Sequence, residues 1–353
     1  MGDKKYTAYV GTYTSGESKG IYRFTLNENK GIIENIRLSA ELSNPTYVAI
    51  NKNNTNLYSV IKIGERGGIA SFKIDSNYNL EPLNCKFTDG KSPCHVVLDE
   101  SNEYVFTSNY HKAELICYNV SSDGSIKNSL ATILHKGSGP NKLRQDSAHI
   151  HFSTFTPDKK YLCVVDLGLD KLFVYSLKGD KLEELTEKNI NFKPGSGPRH
   201  LTFHPNGNFA YIITELSSEV ITLKYNSASG SFEVLQYISA LPKGFTLESG
   251  GGAIHISHDG NFLYVSNRSN DNSSITVFTV DSLSGKLALS SNNMLKGQGP
   301  RDFSISPSGK FLVAANQNTN NVELYSINSS TGALTYLDVS EYIPNPVCIK
   351  FLN

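Results

Sequence analysis

The chain has 353 residues, with 33 Lys plus Arg against 33 Asp plus Glu, so its formal net charge is zero. No global field draws it to nucleic acid or to an acidic membrane, and any anion it recognises must be met by a local cluster. Its five cysteines (Cys85, Cys94, Cys117, Cys163, Cys348) are odd in number and lack C-x-x-C spacing, which speaks against a disulfide framework or structural zinc site, and the absence of Trp removes the usual WD repeat signature.

The opening residues, MGDKKYTAYVGTYT, alternate polar and apolar side chains, and no uninterrupted apolar run approaches the length of a membrane span. A soluble, cytoplasmic protein is the expectation. From Asn44 a unit recurs at intervals near fifty residues: NPTYVAINKNNTNLYSVIK from Asn44, SPCHVVLDESNEYVFTSNY from Ser92, HIHFSTFTPDKKYLCVVDL from His149 and GPRHLTFHPNGNFAYIITE from Gly197. GGAIHISHDGNFLYVSNR from Gly251, GPRDFSISPSGKFLVAANQ from Gly299 and a truncated NPVCIKFLN from Asn345 complete the series. Each unit reads as a strand, a turn such as Pro-Asn-Gly, a second strand, a polar loop and two further strands. The last copy stops after one strand, whereas TAYVGTY near the start matches the second strand of a full copy. The two fragments sum to one repeat. An all-β, seven-bladed propeller follows, with four antiparallel strands per blade and residues 1–353 in a single domain, its last blade closed by the C-terminal inner strand and the N-terminal strands.

In such a blade the start of strand one and the end of strand two open on the same face. At the first position the copies carry Thr46, Cys94, His151, Arg199, Gly252, Arg301 and Val347; at the second, Lys62, Tyr110, Leu167, Glu215, Arg268, Gln317 and Tyr13. Scaffold positions repeat and these do not. They gather Lys62, Arg199, Arg268 and Arg301 with the titratable His151 around one carboxylate, Glu215, a cationic funnel for an anionic ligand. A register slip of the strand would turn His149 inward instead of His151. The longest connections, around KGSGPNKLRQDSAHIH and LPKGFTLESGGG, open on the same face and bring Lys142, Arg144 and Glu248 toward the ligand as partial lids.

Arg199 with Glu215 reads either as an ion pair closing the mouth or as part of a site, and the surrounding cations favour the site. Arg199 would keep the acid ionised and weaken it as a base. His149 and His151, spaced i and i+2, face the same way on a regular strand but lack a third metal ligand, so an acid/base or anion-binding imidazole is expected, and no metal. The Gly-x-Gly-Pro runs at Gly137, Gly195 and Gly297 are turns, because no helix follows them to bind phosphate.

YVGTYTSGESKGIYRF, HIHFSTFTPDKKYLCVVDLG, GPRHLTFHPNG and IHISHDGNFLYVSNR together resemble the seven-bladed propeller lactonases of the bacterial 6-phosphogluconolactonase type, related to fungal carboxy-muconate cyclases. The resemblance spans essentially the whole chain. It implies hydrolysis of 6-phospho-D-glucono-1,5-lactone to 6-phosphogluconate in the pentose phosphate pathway, without a cofactor, and it places the family's His, Arg and Glu on His151, Arg199 and Glu215. After SNR the family often has Gly-His, where this chain has Ser269-Asn270. On this reading Glu215 orients and partly deprotonates water, His151 assists proton transfer to the ring oxygen, and Arg199 stabilises the oxyanion. Arg268 and Arg301 hold the phosphate, helped by Lys62 or Lys19, with His149 as a further substrate-binding candidate. The partner is then a small anionic sugar lactone, with no nucleic acid or membrane, and no feature of the sequence sets an oligomeric state. Two other readings are a muconate-type lactonising cycloisomerase and a non-catalytic protein-binding platform.

Overall fold

Alternating apolar and polar residues, interrupted by tight turns, produce strands that bury one side chain in two against the neighbouring sheet. The computed structural model describes residues 4–179 and 181–352, so Met1–Asp3, Asp180 and Asn353 of the expected 1–353 span lie outside the described residues. Among the described residues the strands form seven antiparallel sheets, the blades of a propeller. Blades 1 to 6 begin with the inner strands Val48–Ile50, His95–Leu98, Ile150–Phe155, Pro198–Phe203, Gly250–Ile256 and Pro300–Ile305. In blade 7 the inner strand Pro346–Phe351 pairs with Lys5–Thr12, which continues to Gly20–Asn27 and Ile32–Glu41. The C-terminus thus supplies the strand that the N-terminal three lack, as the broken repeats required. Blade 3 carries an additional short strand, Ile190–Asn191, beside Lys171–Leu172.

The turn between the first two strands needs a left-handed residue, and the six uninterrupted copies meet this differently. Gly207, Gly260 and Gly309 take φ of 75°, 78° and 74°, while Asn54, Asn102 and Lys159 hold 57°, 61° and 62° at the equivalent places. Between blades, apolar side chains interdigitate: Cys163, Val165, Leu172 and Val174 of blade 3 pack on Leu201, Ala210, Ile212 and Leu223 of blade 4. A repeated tyrosine of the second strand clasps the next blade. Tyr58, Tyr211 and Tyr264 donate to the carbonyls of Gly124, Gly285 and Gly332 at 2.9, 3.0 and 3.0 Å. Such clasps fix blade against blade, so the inner strands hold their end residues in a rigid ring.

All five cysteines are free; Cys117, Cys163 and Cys348 are buried, Cys94 is half-buried and Cys85 is exposed. Among the described residues no helix is long and apolar enough to cross a membrane.

Candidate active site at the mouth of the ring

A backbone irregularity aims the site residues. In blades 3, 4 and 6 the inner strand carries one extra residue against the second strand: Ile150 and Phe152 face consecutive residues Asp166 and Val165, Pro198 and His200 face Thr214 and Ile213, and Pro300 and Asp302 face Asn316 and Ala315. The residues left over are His151, Arg199 and Arg301. A bulge frees its residue from the ladder and redirects it, and here three of the seven first-position residues are set at the mouth this way. Gly252 and Val347 occupy the matching irregularities of blades 5 and 7.

Glu215, at the end of the second strand of blade 4, is buried at 8% exposure and meets three arginines. Its Oε2 accepts from Arg199 Nε at 3.0 Å and from Arg268 Nη2 at 2.7 Å, and its Oε1 accepts from Arg144 Nη2. Burial alone would raise the carboxyl pKa; Arg268, Arg199 and His151, with the Arg144 hydrogen bond, reverse that and hold it well below the usual carboxylate range. Arg199 is the largest fully buried side chain, and its Nη1 donates to Gly252 O at 2.8 Å and reaches the His200 ring. Burial, then Arg268 and Arg301, lower its pKa to about 9, which leaves it charged at neutral pH. Arg268 is committed similarly, with Nη2 donating to Glu215 and, at 2.7 Å, to Gly251 O.

His151 is buried at 4% exposure, and its Nδ1 has no hydrogen-bond partner. Burial first, then Arg199, hold its pKa well below the ordinary value, so the imidazole is neutral at neutral pH. Its ring lies edge-on to Tyr110 and to His200, with centroids 5.8 and 5.2 Å away.

Two cavities open around this cluster and share Arg144, Glu215 and Arg301. One, of about 610 Å³, is rimmed by Asn141, Glu248, Ser269, Asn270 and Asn318 with Arg268. The other, of about 520 Å³, holds Lys62, Lys91, Tyr110, His111, Cys94 and His151. Arg144 stands between them.

Of the expected residues, His151, Arg199, Glu215, Arg268, Arg301 and Lys62 therefore meet at the mouth. His149 and Lys19 do not. His149 stacks on Tyr110 at 4.1 Å, and its two ring nitrogens face Tyr110 O at 2.9 Å and Asp146 Oδ1 at 3.2 Å. It precedes the strand, and the bulge at His151 breaks the i, i+2 alternation that would have aligned the two rings. Lys19 lines a separate surface groove with Glu41, Ile61 and Ile63, because its loop returns toward the third strand of blade 7, away from the axis. Of the three lid residues, Arg144 and Glu248 line the mouth, and Lys142 lines neither cavity. Sequence reasoning passed over Lys91, His111 and Asn318, which lie just outside the compared positions; their closeness to Cys94, Tyr110 and Gln317 was the available signal, while Asn270 stood out only as a departure from the family's Gly-His.

A closed ring whose axial mouth sets several cations around one buried carboxylate is a propeller with a pocket for a small anion. The family described as "Lactonase, 7-bladed beta-propeller" matches residues 7–351, and the chain belongs to it. The chain is 47% identical over 350 residues to the 6-phosphogluconolactonase of Bacillus subtilis, covering 99% of both. In structure it is similar to a protein from Lactobacillus plantarum (TM-score 0.93, 38% identity, 99% of this chain and 100% of that one). It is likewise similar to the periplasmic gluconolactonase of Pseudomonas aeruginosa (TM-score 0.92, 31% identity, 99% of each chain).

Proposed function

We propose that this protein hydrolyses 6-phospho-D-glucono-1,5-lactone to 6-phosphogluconate, the lactonase step of the pentose phosphate pathway. The observation that carries the chemistry is a neutral His151 lining the cavity beside a carboxylate saturated by arginines. The Bacillus subtilis relative supports the substrate.

Both Glu215 oxygens already accept from guanidinium groups, and its pKa is depressed. It is therefore a poor proton acceptor, and we move the base from Glu215 to His151. Water attacks the lactone carbonyl carbon as the unprotonated ring nitrogen of His151, which lines the cavity, takes one of its protons. The oxyanion that forms is met by Arg301 and Arg144, which face the cavities, while Arg199, bound through Nε and Nη1, contributes through its field. The bond from the carbonyl carbon to the ring oxygen then breaks, and the imidazolium returns its proton to that oxygen. Glu215 fixes the three guanidinium groups and balances the transient imidazolium charge. The product acid ionises in water.

The free thiols accord with a reducing compartment, and we assign the cytoplasm. The test couples product formation to 6-phosphogluconate dehydrogenase and subtracts spontaneous hydrolysis. Turnover above background is expected, and a rate equal to background would overturn the reading.

A further inference from the structure

The two cavities at the mouth differ in charge, and that difference sorts the ends of the substrate. The cavity rimmed by Glu248 offers amide and hydroxyl groups from Asn141, Ser269, Asn270 and Asn318. A carboxylate there opposes a phosphate, whereas amides and hydroxyls match the alcohol groups of a sugar ring. The other cavity carries Lys62, Lys91 and His111, with Glu215 its one lining carboxylate. Glu215 is bound by three arginines, and neither Lys62 nor Lys91 forms an ion pair among the described residues.

The backbones that present these lysines are pinned. Lys62 N donates to Ser43 O at 3.0 Å, and Lys91 O accepts from Asn109 Nδ2 at 2.7 Å. The ammonium groups also act on one another's surroundings: after partial burial, Lys91, His149 and Lys62 lower the pKa of His111. An anion arriving there would relieve that repulsion. Arg268, by contrast, has its Nη2 committed to Glu215 and Gly251 O, and its Nε is buried.

Resting on the lactonase reading above, we infer that Lys62 and Lys91, with His111 beside them, form the subsite for the substrate's phosphate, while the Asn-rich cavity receives the ring hydroxyls. The lactone carbonyl carbon and the carbon bearing the phosphate-carrying arm flank the ring oxygen. A substrate lying across Arg144 and Arg301 thus reaches both cavities with its carbonyl at the shared cluster. Lys62 and Lys91 set specificity and take no part in bond making.

The experiment compares kcat/KM for 6-phosphogluconolactone and for unphosphorylated glucono-1,5-lactone in wild type, Lys91→Gln and the double variant Lys62→Gln/Lys91→Gln. Both lysines reach solvent, so the fold should tolerate these changes. The ratio of the two kcat/KM values is expected to fall roughly tenfold for the single variant and about 100-fold for the double, as charge-assisted contacts to phosphate are lost. The loss should appear in KM for the phosphorylated lactone. A ratio unchanged in the double variant, or reduced instead by Arg268→Gln alone, would overturn the assignment. If wild type turns over neither lactone, the lactonase reading falls, and calorimetry with inorganic phosphate judges the subsite separately. Binding lost in the double variant would keep it as an anion site; binding equal to wild type would remove it.

Discussion

Acidification from about pH 7.5 to 5.5 should destabilise this protein chiefly through three buried histidines rather than through its carboxylates. His95, His151 and His200 are 2%, 4% and 6% exposed and stand together in the axis, with His200 centred 5.2 Å from His151 and 6.3 Å from His95. Burial is the first cause holding each pKa well below the ordinary value; Arg199 adds to it for all three, and Lys350 for His95 and His200. Asp302 opposes the shift at His95 and Glu215 at His151, without reversing it. In the unfolded chain each ring takes up a proton near pH 6.5. The unfolded state thus binds more protons over the window below that value, and the stability these groups contribute is full above pH 6.5 and is lost as pH falls from there through the folded values.

The size of the effect follows directly. One pH unit below an unfolded pKa of 6.5, each ring that stays neutral in the fold costs about 1.4 kcal/mol, so three together cost roughly 4 kcal/mol at pH 5.5 relative to pH 7.5. That is a large share of the ~5–15 kcal/mol that holds a typical fold. Glu215 contributes little in this window, because above its ordinary value of 4.5 the carboxyl is largely ionised in the unfolded chain as well as in the fold. Urea denaturation at the two pH values measures the difference, and His95→Phe, which substitutes one ring lying between Tyr47 and Phe152, should remove about a third of it. A loss below about 1 kcal/mol, or an undiminished loss in His95→Phe, would refute the reasoning.

Glu215→Gln leaves Arg199 and Arg268 without their carboxylate, and a destabilisation of about 3–5 kcal/mol is expected from calorimetric or urea unfolding, along with lost turnover. His151→Ala should lower kcat by about 10²–10⁴ with KM little changed. In wild type the acid limb of kcat/KM should lie below pH 6.5, since the imidazole stays neutral there; a limb at or above that value would contradict its burial. A Cβ at Gly252 would run into Ser266 Oγ and lie 2.8 Å from Pro300 O, so Gly252→Ala should displace the carbonyl that holds Arg199 and depress kcat measurably. Turnover measured with a chelator present should equal turnover without it.

How much of this was legible beforehand depends on whether a residue has a counterpart in the other repeats. The ring could be read because its closure is written twice, in a last unit that stops at its first strand and a first segment that begins at its second. The place of Glu215, Arg199 and His151 at the mouth could be read because their variation is visible against six equivalent positions. The bulges that turn His151, Arg199 and Arg301 into the mouth leave no mark in the hydrophobic alternation, which is why the paired-histidine argument misplaced His149. The long connections bring Arg144, Lys142 and Glu248 toward the mouth in the sequence as well, but the contact of Arg144 with Glu215, like the place of Lys91, depends on the path of an irregular connection and on hydrogen bonds such as Asn109 to Lys91 O. The number of cations sharing one acid is likewise a property of space. Sequence set several cations around Glu215 without showing which would touch it, and it is the contacts from Arg144 and Arg268, added to that of Arg199, that occupy both carboxylate oxygens and, on the proposed reading, leave the proton transfer to His151.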